Sequence, residues 1–233
     1  MLMSVRYLAA GVAALMLAGC MQEKVSFVAL KGQEVIIRDG RSGLMSHGSR
    51  TDVVVSPASR AVNPGQRPVL VFGIRNNSGK PINFLMSGVT VRQTVNGQVV
   101  RVLPVKTYEQ LVKEEQTRQI VGAILLGAAA GANSYSAANR YNSPIANSIA
   151  SAHADHQNAA MIGNAAAQGS FNFAALEASA IKDNTIMPGE TYGGLLYFDP
   201  PQDAGSASKT YSVVVQMEGD AHEISVTQSQ IQT

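Results

Sequence analysis

The chain is 233 residues long, enough for one large domain or two small ones with a buried core, and 45% of it is hydrophobic against only 15% charged. This composition, with a mean hydropathy of +0.04, excludes a disordered chain, a collagen-like fibre and a multi-span transporter. One cysteine excludes a disulfide framework and a cysteine-built zinc site, and a net charge of +2 gives no general case for nucleic acid.

The N-terminus reads as a targeting segment. Arg6 is the only charge before Glu23, and Tyr7 to Ala18 is an apolar run too short to span a bilayer about 30 Å thick. The run ends in Leu17-Ala18-Gly19-Cys20. These residues resemble the bacterial lipobox, which is cleaved before its cysteine. The alternative for Cys20 is a buried free thiol in a core helix. The lipobox resemblance implies a signal peptide over 1–19 and a mature chain starting at Cys20. That cysteine would carry a thioether-linked diacylglycerol and an N-acyl chain such as palmitate, with no other cofactor. Each buried CH₂ of such chains contributes about 0.8 kcal/mol to anchoring. Met21, where an Asp would signal retention in the inner membrane, implies the periplasmic face of the outer membrane. The inner membrane and the cell surface are the alternatives.

Residues 20–33 read as a lipidated tether. The zone 34–106 reads as β, with strands over Glu34–Arg38, Asp52–Val55, Pro68–Arg75, Ile82–Met86, Val89–Val95 and Gln98–Leu103. Asn96-Gly97 between the last two is a hairpin signal, because a type I′ turn needs φ > 0 at both central residues.

Residues 107–183 read as an Ala/Gly-rich helical insertion. Thr107 and Gln110 have capping-box spacing. A helix follows from Tyr108, with Leu111, Ile120, Ile124 and Leu125 as an apolar face that would cover part of a sheet. Asn139 to Asn142 reads as a loop. Ser143-Pro144 starts a second helix that would end at Gly169, and a third would cover Phe173–Lys182. Residues 184–233 read as β again, with strands over Thr191–Phe198, Lys209–Met217 and His222–Thr227.

The expected fold is mainly β: an antiparallel immunoglobulin-like sandwich, built from 34–106 and 184–233, with an inserted α-helical hairpin. Asn63-Pro64-Gly65 before VLVFGIRNNSGKPI, and Met187-Pro188-Gly189-Glu190 before TYGGLLYFDPP, carry a resemblance to immunoglobulin-like sandwiches of secreted bacterial proteins. With the Ala/Gly insertion, the chain resembles uncharacterised bacterial envelope lipoproteins. The resemblance implies fold and envelope location, and no activity.

Residues 24–106 hold twelve Lys/Arg and three Asp/Glu, and residues 107–233 hold five and twelve. Interleaved strands would cancel this asymmetry. A basic face toward anionic headgroups or an acidic partner is the alternative.

No catalytic constellation emerges. Gly122-x-x-x-x-Gly127 has the glycine spacing of a P-loop, but Ala128-Ala129 stands where Lys and Ser/Thr are needed. Ser179-x-x-Lys182 has the spacing of a penicillin-binding nucleophile and its base, without the accompanying motifs. His153, Asp155 and His156 offer two ligands on one helix face, too few for zinc unless Glu177 or His222 supplies a third. His47 and His222 read as isolated.

Gly122, Gly127 and Gly131 are the candidate site, for helix packing or self-association. Between residues 119 and 176 the only charges are Arg140 and Asp155, and eighteen of those 58 residues are Ala. Small residues permit close backbone approach. The apolar run Ile120–Ala132 would make about 20 Å of helix, short of a full span. The expected function is a non-catalytic, lipid-anchored envelope lipoprotein acting as a binding or scaffold module. The alternative is a subunit of a membrane-associated assembly that oligomerises or touches the membrane through its hairpin. Expected partners are the lipid bilayer, an unidentified envelope protein and further copies of the chain, and no nucleic acid.

Overall fold

The computed structural model describes residues 22–38, 41–63, 66–95, 97–140, 144–201 and 208–230. The expected signal segment over 1–19, Cys20, Pro64-Gly65, Asn96 and Ser143 lie outside the described residues. The chain divides into two compact units, one formed by the residues up to Lys106 and from Ile181, the other by Thr107–Ala180.

The first unit is a β-sandwich. Its strands in chain order are β1 (Glu23–Val28), β2 (Gln33–Arg38), β3 (Arg41–His47), β4 (Thr51–Pro57), β5 (Ala61–Val62), β6 (Leu70–Asn76), β7 (Ile82–Phe84), β8 (Val89–Val95), β9 (Gln98–Leu103), β10 (Asn184–Ile186), β11 (Thr191–Leu196), β12 (Lys209–Met217) and β13 (Asp220–Gln230). One sheet has the order β5-β1-β13-β12-β8-β9 and the other β11-β6-β4-β3-β2, while β7 pairs with β10 alone. All pairings between these strands are antiparallel.

The order β4-β6-β11 facing β13-β12-β8-β9 is the A-B-E and G-F-C-C′ arrangement of an immunoglobulin-like sandwich. The insertion occupies the connection between C′ and E. β12 and β13, from the acidic half of the chain, lie between β1 and β8 of the basic half. The two halves therefore interleave within one sheet.

Alternation explains the long strands. β4 alternates buried and half-buried positions along its whole length, and Val53 and Val55 face the core. β12 does the same with Tyr211, Val213 and Val215 inside. Phe72 and Phe84 meet with ring centroids 5.8 Å apart, as do Phe198 and Tyr211. One continuous apolar core joins the two sheets.

The structure corrects the expected boundaries in several places. Residues 20–33 are not all tether, because Glu23–Val28 is a strand paired with β13 over its full length. The partner lies about two hundred residues away in sequence, so no local signal marks it. β3, β5 and β10 are strands that the pattern does not mark.

The second unit holds two helices, α1 (Tyr108–Ala138) and α2 (Pro144–Ser179). The capping box forms as expected: Thr107 Oγ1 accepts from the Gln110 amide at 3.4 Å, and Gln110 Oε1 accepts from the Thr107 amide at 3.1 Å. Gly169 is not a C-cap. It lies inside α2, where a Cβ would stand 2.8 Å from the Gln119 side-chain amide of α1. Gly169 thus sits at a close approach to α1, where the flexible end of Gln119 would have to shift to admit a larger residue, and the expected third helix is the last part of α2. Of the expected apolar face, Leu111 is buried, but Ile120, Ile124 and Leu125 are largely exposed, Ile124 and Leu125 at 65% each.

The chain leaves and rejoins the sandwich beside one short stretch. The Lys106 amide donates to Tyr197 O at 2.9 Å, and the Ile181 amide donates to Leu195 O at 3.1 Å. Carbonyls two residues apart on an extended chain are separated by about 7 Å. Replacing 107–180 with a short Gly/Ser loop should therefore leave a cooperatively folding sandwich, its stability changed by no more than about 1 kcal/mol. Circular dichroism should lose the helical signal and keep the β signal; an unfolded chain would make the helices integral to one core.

Candidate functional site

Two buried polar clusters sit at opposite ends of β13. At its start, Asp220 accepts from the Ser49 amide (3.1 Å), Ser49 Oγ (2.6 Å), the Arg50 amide (2.7 Å), the Thr51 amide (2.9 Å) and Thr51 Oγ1 (2.9 Å). Partial burial pushes its carboxyl pKa up, but these donors outweigh that and hold it well below the ordinary carboxylate range.

His222, 1% exposed, has Nε2 at 2.8 Å from Thr51 Oγ1 and Nδ1 at 3.0 Å from Ser46 Oγ. Thr51 spends its proton on Asp220, so the network assigns Nε2–H as donor to Thr51, with Nδ1 accepting from Ser46. Burial lowers the imidazole pKa against the pull of Asp220 and Asp52. A hydroxyl, an imidazole and a carboxylate thus stand in sequence, but not as a nucleophilic triad. Thr51 separates His222 from Asp220, and Ser46 is itself buried. The arrangement ties β13 to β3 and β4. His47 is not isolated either: its Nδ1 lies 2.9 Å from Asp52 Oδ1.

At the other end, Lys209 Nζ meets Glu23 Oε1 at 3.0 Å, with both side chains almost fully buried. Gln228 donates to the second Glu23 oxygen and accepts from the Tyr211 hydroxyl at 2.7 Å. Burial first, and the Glu23 charge second, push the Tyr211 pKa up, so it stays a neutral donor.

The remaining candidates lie on the helical hairpin. Gly122 to Gly127 sits inside the continuous α1, which leaves no loop to cradle a phosphate. Ser179 donates to Ala175 O at 2.6 Å and ends α2, so Lys182 is not one turn along the same helix. His153 and His156 are exposed on α2, and Asp155 accepts from Ser134 Oγ at 3.0 Å. Among the described residues, no three His, Cys, Asp or Glu side chains group as metal ligands.

The hairpin buries polar groups beside small apolar ones: Glu115 and Asn158 are buried together with Leu111, Ala137 and Ala154. Asn158 accepts from Asn133 at 3.1 Å and donates to Ala130 O at 3.2 Å and Ser134 Oγ at 3.1 Å. Buried Glu115 accepts from Asn172 at 2.8 Å and Gln119 at 3.1 Å, and pairs with Arg118. The Tyr108 hydroxyl bonds Glu177, which raises its pKa and closes the base of the hairpin. Meanwhile Ile120, Val121, Ile124, Leu125, Ile162 and Phe171 are exposed. A soluble hairpin ordinarily shows the opposite pattern.

Gly122 and Gly127 line an open groove of about 370 Å³ between the helices, with Leu126 and Ile162. A Cβ on either glycine would meet nothing within 4 Å. Their smallness therefore does not serve contact between α1 and α2; Gly169 does that. Gly131 lies in α1, and its surroundings are outside the described residues. The periodicity of the small residues marks the hairpin as unusual. The inward placement of Asn158 and Glu115 has no local signal, because it depends on which faces of the two helices meet.

His222 and Asp220 predict a definite pH dependence. His222 is held neutral in the fold, so the unfolded chain takes up its proton first, as pH falls through the ordinary value of 6.5. Asp220 contributes stability above its unfolded value of 3.8, which is lost as pH falls through its lower folded value. Urea midpoints should fall in two stages on acidification. His222→Gln should remove the stage below pH 6.5, and Asp220→Asn the later one, at a cost near neutrality of about 1–3 kcal/mol. Unaltered profiles in both variants would remove these groups from the balance.

Lys209→Ala should cost about 3–5 kcal/mol by leaving Glu23 buried and unpaired, whereas the double change Glu23→Leu with Lys209→Met should recover most of it. Thermal unfolding of the three variants checks this.

Compared with known proteins, the chain matches no family model, and neither a curated protein nor a solved structure is significantly similar to it.

Proposed function

We propose that this chain is a non-catalytic, lipid-anchored envelope protein whose sandwich is a scaffold and whose helical hairpin is the contact element of an assembly. The observation that carries the reading is the hairpin's polarity. Burying Asn158 and Glu115 while exposing Ile120, Ile124 and Leu125 leaves an apolar surface without cover. Burial of such surface contributes roughly 25 cal/mol per Å², so covering it drives association. The open Gly122–Gly127 groove supports close approach by a further helix. The Leu17-Ala18-Gly19-Cys20 sequence supports an acyl anchor, and Met21 after it supports the periplasmic face of the outer membrane as its site.

A second reading, contact of the hairpin with a membrane, is favoured by one specific observation. α1 is long and apolar enough to cross a bilayer by length and composition, and its apolar window is unburied. From Gln119 to its end at Ala138 it carries no charge, about 30 Å of helix against a hydrocarbon thickness of about 30 Å. Outward-facing Asn164 and Gln168 on α2 weigh against lipid cover, since lipid tails offer them no partner.

Two measurements test the proposal. Cys20→Ser should abolish lipid labelling and leave precursor or a mis-sorted form; unchanged membrane fractionation and an unacylated mass for the unaltered chain would sink the anchor. In the unlipidated protein, Ile124→Glu with Leu125→Glu should abolish hairpin-mediated association while the sandwich melts as before. If association persists unaltered, the hairpin is not the contact. Co-flotation with neutral vesicles, lost in the same variant, would establish the membrane reading instead.

A further inference from the structure

A pocket of about 320 Å³ opens at the end of the sandwich where β13 begins, lined by Arg50, Ser78, Gly79, Lys80, Ile82 and Glu218. Three connections meet there: 48–50 between β3 and β4, 77–81 between β6 and β7, and Glu218-Gly219 between β12 and β13. Loops held by a rigid scaffold are where binding residues concentrate.

Each of the first two loops hangs from one polar side chain. The amides of Ser49, Arg50 and Thr51 converge on the Asp220 carboxylate at 3.1, 2.7 and 2.9 Å. Asn76 is fully buried and holds the second loop. Its Oδ1 accepts from the Ser78 amide at 2.8 Å and the Ser78 hydroxyl at 2.7 Å, and its Nδ2 donates to Lys80 O at 2.7 Å and Ile186 O at 2.9 Å. The Asn77 amide donates to Arg50 O at 2.7 Å, which joins the two loops. The third connection turns at Gly219, with φ +98°. The Arg50 guanidinium lies against this turn: a Cβ on Gly219 would stand 3.9 Å from its Cζ, and Nη1 donates to Glu218 O at 3.1 Å. These bonds set the walls of the pocket in advance, so a ligand would lose little affinity to loop ordering.

The charges around the pocket are not spent on one another. Among the described residues, the Arg50 guanidinium has no bond beyond that to Glu218 O, and Lys80 Nζ has none. The Glu218 carboxylate accepts only a long contact, 3.5 Å, from the Asn83 amide. Two cations and one carboxylate therefore line a single cavity without pairing. Ile82, 2% exposed, adds an apolar piece of wall.

We infer that this pocket binds a small zwitterion, an α-amino acid or a dipeptide. Its carboxylate is held by Arg50 and Lys80, its ammonium by Glu218, and its aliphatic part lies on Ile82. A guanidinium fork matches a carboxylate, and charge-assisted hydrogen bonds are the strong ones. A simple anion would bring a like charge to Glu218, and a simple cation would meet two like charges. A ligand with both charges satisfies all three groups, and the volume is at the small end of ligand sites. The site lies wholly in the β unit and does not depend on the hairpin.

The test uses the full mature chain with Cys20→Ser, followed by backbone amide signals in nuclear magnetic resonance. The probes are the common amino acids and L-alanyl-L-alanine, each added to about 10 mM. At least one should shift the amides of Arg50, Ser78, Gly79 and Glu218, with a dissociation constant of about 1 mM or tighter. The N-acetyl form and the methyl ester of that compound should each bind on the order of tenfold more weakly, since each loses one charge-assisted contact. Arg50→Gln should weaken the unmodified compound by a similar factor. Glu218→Gln should weaken it too, yet leave the N-acetyl form within about twofold, because that form has no ammonium to lose. Ile124→Glu with Leu125→Glu, on the hairpin, should leave binding unchanged. Three outcomes would overturn the inference: no probe shifting these amides, acetate binding as tightly as the amino acids, or affinity indifferent to Arg50→Gln. Equal weakening of the zwitterion and its N-acetyl form by Glu218→Gln would also overturn it, since Glu218 would then act through the fold.

Discussion

The sandwich depends on β13, the longest strand, which pairs with β1 on one side and β12 on the other. Its inward positions are His222, Ile224, Val226 and Gln228, apolar in the middle and polar at both ends. Burying a polar group costs free energy unless it is hydrogen-bonded. Here the partners come from other strands: Ser46 and Thr51 from β3 and β4 and Glu23 from β1, all distant in sequence, and Tyr211, which shares its strand with Lys209, from the adjoining β12. A one-residue slip would turn His222 and Gln228 to solvent and expose Ile224 and Val226. The two polar ends therefore set the register of several non-local strands together, while the apolar middle supplies most of the burial energy.

This arrangement lets the chain carry a long insertion. The closing strands β12 and β13 come after the hairpin, and the chain leaves and rejoins the sandwich beside Leu195–Tyr197. Loop-closure entropy grows only slowly with length, so an insertion at such a point costs the sandwich little. The hairpin follows the opposite chemical logic from its host. The sandwich hides apolar side chains and satisfies its few polar ones; the hairpin satisfies polar side chains between its helices and leaves Ile124, Leu125 and Phe171 outside. Ala-rich helices of 31 and 36 residues keep their backbone hydrogen bonds without much burial.

Local chemistry made much of this legible. Strand patterning over β4, β6, β8 and β12 marked these segments as strands, because side chains on a strand alternate between core and solvent. Thr107 and Gln110 marked the start of α1, since the capping box closes within four residues. The charge-free, small-residue character of 119–176 marked the hairpin as the unusual element. Other features needed partners far apart in sequence. β1 reads as a tether until β13 is laid beside it. His222 reads as isolated until β3 and β4 bring Ser46 and Thr51 to its two nitrogens. Gly169 reads as a helix end until Gln119 of α1 is set against it. Composition, periodicity and capping thus determined, by themselves, a β domain interrupted by helices. Only the tertiary structure decided which glycine sits at a close contact, which polar groups are buried, and which faces and edges stay uncovered. The physical reason is that periodicity and capping act between residues a few positions apart, whereas burial and hydrogen-bond satisfaction depend on whichever distant segment the fold brings alongside.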